Sequence, residues 1–328
     1  MDRPNLSLSR HQTPNPFLIF QSRYWVLGTY LIASVVLGLL YGFLSWFSVV
    51  PTPSEDPISV PILSIGIWAI LAGIIVLVGQ HKGLRLGPLF GPFLGRPLLR
   101  SPREAQRAVR MGLECDRVSR FSLPYAGLLV ASLLIFSLGS FSVVFYYLSL
   151  NFPERAASML ETDLILGGGD SQYPQLYDGL MLFWLVVYAP LVEELVFRGI
   201  LLQRWGTKWG LRRGVMASSV LFGLLHLNNP LGLTLFGLVM GLLYVRSRSL
   251  WVPIVCHALN NMAAVAIDGF SKMTGVESSY SVADVQASWQ LGLVLIAISG
   301  PFLAHFVWRS WPQQDDKIPY LFNTVLPE

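Results

Sequence analysis

Charged side chains are scarce in this sequence. They make up 13% of 328 residues, against about 25% in an ordinary soluble domain, and 53% of the chain is hydrophobic. Too few charges remain to cover the surface of a soluble enzyme of this length, and a disordered chain is excluded by the same figures. Cysteine is nearly absent: Cys115 and Cys256 stand alone in unlike surroundings and suggest no disulfide framework. Histidine occurs five times, as His11, His81, His226, His257 and His305. What the sequence has in excess is long apolar runs, with a mean hydropathy of +0.54. The isoelectric point near 9.1 is therefore read as membrane topology and not as affinity for nucleic acid.

A spanning helix needs ~20 mostly apolar residues. Windows of that kind are Tyr24–Val50, Pro57–Gln80, Phe121–Pro153, Leu176–Gln203, Leu250–Ile267 and Val285–Trp308. Two shorter ones, Gly214–Asn228 and Leu231–Val245, are separated by Asn228-Asn229-Pro230. The expectation is an all-α, polytopic membrane bundle of about eight transmembrane helices, in the cell membrane or an internal membrane. If the segments alternate from a cytoplasmic N-terminus, 20 of the 23 Lys and Arg fall on the inside, as the positive-inside rule asks. Both termini are then cytoplasmic, and the Glu154–Asp170 region is outside. The basic stretch His81–Arg120 fixes that topology, and its part Pro102–Arg120 could equally form a surface helix against anionic lipid.

Ionisable residues inside a bilayer are costly and usually functional. Leu176–Gln203 carries Glu193, Glu194 and Arg198. Glu194 and Arg198, spaced i,i+4, can pair on one face, while Glu193, turned by ~100°, faces something else. His226 follows Phe222 by four residues, and His257 precedes Asn261 by four. Depths of roughly 10–20 Å in a ~30 Å core put Glu193, His226 and His257 within reach of one another. They could hold zinc or another divalent metal. Without a metal, Glu193 and His226 could activate water while His257 and Asn261 bind an oxyanion.

The order Glu-Glu-x-x-x-Arg, Phe-x-x-x-His, His-x-x-x-Asn on hydrophobic helices resembles the CPBP family, the intramembrane CAAX proteases and bacteriocin-processing enzymes also called type II CAAX prenyl endopeptidases or the ABI family. The resemblance covers Asp178 to Ile267. It implies an intramembrane endopeptidase whose site is Glu193, Glu194, Arg198, His226, His257 and Asn261, with Glu193 activating the water. Residues 176–270 then form the catalytic core, between an N-terminal part (1–175) and a closing part (271–328). The partners implied are membrane lipid and a peptide or protein substrate, membrane-anchored in the prenylated case, and no nucleic acid. A non-enzymatic scaffold or a small transporter on the same fold is the alternative, although no inverted repeat of the kind transporters carry is visible.

Overall fold

The computed structural model describes residues 15–19, 58–93, 123–161, 171–274, 281–314 and 316–324. Among them the longer helices are α1 (Ser59–His81), α2 (Leu123–Asn151), α3 (Pro174–Trp209), α4 (Leu211–Leu225), α5 (Pro230–Ser247), α6 (Trp251–Thr274) and α7 (Trp289–Ser310). No strand occurs among the described residues. This is a polytopic all-α membrane protein, as expected. Apolar residues surround most of each helix, so packing relies on close backbone approach and hydrogen bonds more than on apolar faces.

Five of these helices, α1, α2, α3, α5 and α7, are long and apolar enough to cross a bilayer. The expected crossing Tyr24–Val50 lies outside the described residues, as do Pro102–Arg120 and most of the Glu154–Asp170 region. The expected crossing Gly214–Asn228 needs correcting. It folds as α4, 15 residues long and so ~22 Å, short of a ~30 Å core. The chain breaks there because Asn229 caps α5, its side chain accepting from Gly232 N, with Pro230 at the first helical position. Helix α6 is long enough but carries His257, Asn260, Asn261 and Asp268, which point to the bundle interior or its rim more than to lipid.

Two contacts place these helices. Gly139 of α2 and Gly292 of α7 pack backbone to backbone, where a Cβ on either would come within 2.8 Å of the other's carbonyl oxygen. The α4–α5 turn is tied to the middle of α2: the Asn229 amide donates to Ser137 O and Oγ at 3.0 and 2.9 Å and accepts from Ser140 Oγ at 3.0 Å. Helix α2 continues twelve residues beyond Gly139, or ~18 Å. The turn therefore sits within the depth that α2 spans.

The described parts of the pieces rich in Lys and Arg collect at one end. Arg204 donates to Phe17 O, Arg85 N to the Tyr320 hydroxyl, and Asn323 to both Pro88 O and Arg248 O. Arg212 donates to Pro312 O and Arg246 to Ser310 Oγ. A Gln203–Tyr244–Leu89 hydrogen-bond chain runs just beneath them.

Candidate active site

Helix α3 is the frame of the site, and it is not a regular α-helix. Two π-helical segments, Trp184–Tyr188 and Leu195–Leu202, enclose the short α segment Ala189–Glu194. Pro190 has no N–H and crowds the carbonyl four residues before it. The wider first π segment, closed by Ala189 N to Trp184 O, relieves that crowding. π turns of this kind recur at functional sites. Here they bracket Glu193 and Glu194.

Glu194 is fully buried and Arg198 is 1% exposed. Arg198 Nη1 donates to Glu194 Oε1 at 2.9 Å, the i,i+4 pair expected from the spacing. Its Nη2 donates to Gly237 O of α5 at 3.0 Å, and the guanidinium lies 4.8 Å from the Phe222 ring centroid. His257 Nδ1 meets the same Glu194 Oε1 at 2.9 Å. A carboxylate paired to arginine only accepts, so His257 carries its hydrogen on Nδ1 and turns Nε2 outward. That Nε2 stands 3.9 Å from Glu193 Oε2. The side chain of Glu193 keeps 14% exposure where that of Glu194 has none. The two neighbouring carboxylates are thus separated in role: Glu194, with Arg198, ties α3 to α6 and α5, and Glu193 opens onto the accessible side.

His226 ends α4 and does not lie within it. Its Nδ1 is 2.7 Å from Phe222 O. A carbonyl only accepts, so this imidazole also holds its hydrogen on Nδ1 and presents Nε2. His226 and His257 flank one ring, with centroids 4.5 and 6.1 Å from that of Phe222. Asn261 lies one turn beyond His257, but its amide donates to Leu185 O in the first π segment at 2.8 Å. The structure therefore groups Glu193, Glu194, Arg198 and His257 directly, sets His226 against the Phe222 ring that Arg198 also meets, and gives Asn261 a tie to the π segment.

Glu193, His226 and His257 are donors of the kind zinc takes, and a locked Nδ1–H with a free Nε2 is the usual preparation of a metal-binding histidine. The spacing is not closed: among the described residues no three His, Cys, Asp or Glu side chains are disposed as a coordination shell. Sequence reasoning missed Asn229, which holds the turn next to His226. Its signal was the Asn-Pro pair, a helix cap followed by its first residue.

Residues 175–263 match the family described as "Type II CAAX prenyl endopeptidase Rce1-like". The segment contains all six expected site residues. Over 88 residues the chain is 33% identical to the protein described as "Putative membrane peptidase YdiL" of Bacillus subtilis (strain 168). That alignment covers 26% of this chain and 36% of the relative, so the chain spans about a third of that relative's length. No solved structure matches the chain. The resemblance carried by the three motifs is thus found independently over the segment that builds the site.

Proposed function

We propose that this multi-pass membrane protein is an intramembrane endopeptidase with Glu193 as its general base and its arginine-rich end in the cytoplasm. The observation that carries this reading is the pairing of two adjacent carboxylates with one oriented imidazole: Glu194 holds His257, and His257 Nε2 faces Glu193 at 3.9 Å. That distance is too long for a direct hydrogen bond and suits a bridging water. Glu193 takes a proton from the water, whose oxygen adds to the peptide carbonyl carbon. The His226 Nε2 lone pair orients that water. The tetrahedral oxyanion receives hydrogen bonds from the Asn261 hydrogen not given to Leu185 and from His257, whose Nε2 shares the proton that Glu193 has just taken while its Nδ1–H stays on Glu194. Glu193 then returns its proton to the amide nitrogen as the C–N bond breaks.

Arg198 touches no reacting atom in this scheme. It holds the Glu194 carboxylate in place and therefore His257 fixed. Glu193, His226 and His257 would hold a divalent ion, which would polarise the water as a Lewis acid; the free Nε2 atoms of the two imidazoles would then serve as its ligands, leaving Asn261 to meet the oxyanion.

The test compares membrane peptides and new chain ends between cells carrying the wild type and Glu193→Gln. The expected result is a set of cleavages that falls ~10²-fold or more in the variant, with the variant folded and membrane-inserted. Cleavage at near-normal rate by Glu193→Gln overturns the reading. A non-enzymatic scaffold or transporter predicts no difference in chain ends at all. Chelation followed by Zn²⁺ on the same cleavage separates the metal-assisted form, lost and restored, from the metal-free form, unchanged.

A further inference from the structure

An open-sided groove of about 540 Å³ lies at the arginine-rich end, between the end of α3, the outer face of α4 and the segment after α7. It is lined by Trp209, Arg212, Arg213, Met216, Val220 and Trp311. None of these residues belongs to the catalytic group described above. Arg212 Nε donates to Pro312 O at 2.7 Å, which holds its guanidinium in place, and among the described residues neither Nη group has an acceptor. Arg213 is exposed, and among the described residues no carboxylate pairs with either arginine. Lys208 adds a third cation, its Nζ lying 5.7 Å from the Trp209 ring.

Above the arginines the groove is purely apolar. Met216, Val220 and Leu224 continue upward from Arg213 at helical spacing on α4, with exposures of 41%, 39% and 57%. From Arg213 to Leu224 the stripe rises ~16 Å, about half of a ~30 Å hydrocarbon core. A cationic foot, flanking tryptophans at the level where they favour the headgroup region, and an apolar wall one leaflet deep match one ligand class. We infer that this groove is a binding site for an anionic phospholipid, with its phosphate on Arg212 and Arg213 and an acyl chain along Met216, Val220 and Leu224. Guanidinium groups grip phosphate oxygens through paired hydrogen bonds. A peptide helix or a second copy of the chain would cover the apolar stripe but would leave the two guanidiniums without a matched anion.

The test is native mass spectrometry of the full-length protein released from nanodiscs holding equal amounts of phosphatidylglycerol and phosphatidylcholine. Wild type should retain phosphatidylglycerol preferentially. Arg213→Gln, on an exposed position, should lower that preference about fivefold, and Arg212→Gln with Arg213→Gln should abolish it. Val220→Trp, which fills the apolar wall and leaves the charges in place, should lower phosphatidylglycerol retention as well. Arg309→Gln removes an exposed cation at the same end outside the groove and should change nothing. Equal retention of the two lipids by the wild type overturns the proposal. An equal loss with Arg309→Gln does so too, because it marks general attraction to the basic end. Unchanged retention with Arg213→Gln and Val220→Trp, both folded by circular dichroism, overturns it equally. The outcome is independent of any peptidase activity.

Discussion

Arg198 and Arg246 make similar hydrogen bonds in different surroundings. Arg198 sits in the bundle interior, 1% exposed, bonded to Glu194 and Gly237 O and stacked against Phe222. Arg246 is at the basic end, exposed, and donates to Ser310 Oγ at 3.0 Å. Water can replace any partner that Arg246 loses. Around Arg198 nothing can, so its partners must be supplied by the protein itself: Glu194 one turn back on its own helix, Gly237 O from α5 and the Phe222 ring from α4. The same residue type is thus interchangeable decoration in one region and a structural keystone in the other, and access to water makes the difference.

The largest effect should follow from removing one member of the interior group. Arg198→Ala leaves Glu194 buried without its cation, and loss of one partner of such a pair typically costs ~3–5 kcal/mol. The thermal midpoint in detergent should drop sharply, with much reduced yield. The double variant Glu194→Leu with Arg198→Met should be milder than Arg198→Ala, because it removes both charges together. A double variant that is as unstable as the single one would show that the cost lies in packing.

Asn229→Ala comes next. It strips three hydrogen bonds to α2 and the cap of α5, and should cost ~1–3 kcal/mol. Hydrogen exchange should rise at the α4–α5 turn while α7 stays protected. Arg246→Gln should shift the midpoint by no more than ~1 kcal/mol equivalent. If it matched Asn229→Ala, the basic end would be as closed to water as the interior. Glu193→Gln should be the smallest of all, within ~0.5 kcal/mol in stability, since Glu193 is outside the ion pair. A marked destabilisation there would mean that Glu193 shares in holding the bundle.

Some of this arrangement can be read directly from the residues. Glu194 and Arg198 pair because i,i+4 spacing puts them side by side, and the second π segment does not undo it. The Lys/Arg distribution anticipates which pieces meet at one end, since the same bilayer constraint acts on loops far apart in sequence. Other parts escape the pattern. Hydrophobic periodicity has no term for π turns, so the widened stretches around Pro190 are invisible in it. Their effect reaches Asn261: one carbonyl of the first π segment, Leu185 O, becomes its acceptor, where spacing alone suggests a shared target with His257. The apolar run Gly214–Asn228 looks like a crossing because hydropathy measures composition and not where a capped turn is tied down. That tie comes from Ser137 and Ser140, about ninety residues earlier in the chain.

Helix α4 is ~22 Å long and ends in a turn tied to the middle of α2, with Leu224, Leu225 and Leu227 exposed around it. Its apolar length falls short of the hydrocarbon thickness by several ångströms. A short hydrophobic flank is accommodated by local thinning of the bilayer among other responses, and thinning here would bring the lipid beside α4 closer to the level of His226. A dent on that side would shorten the path by which water reaches Glu193.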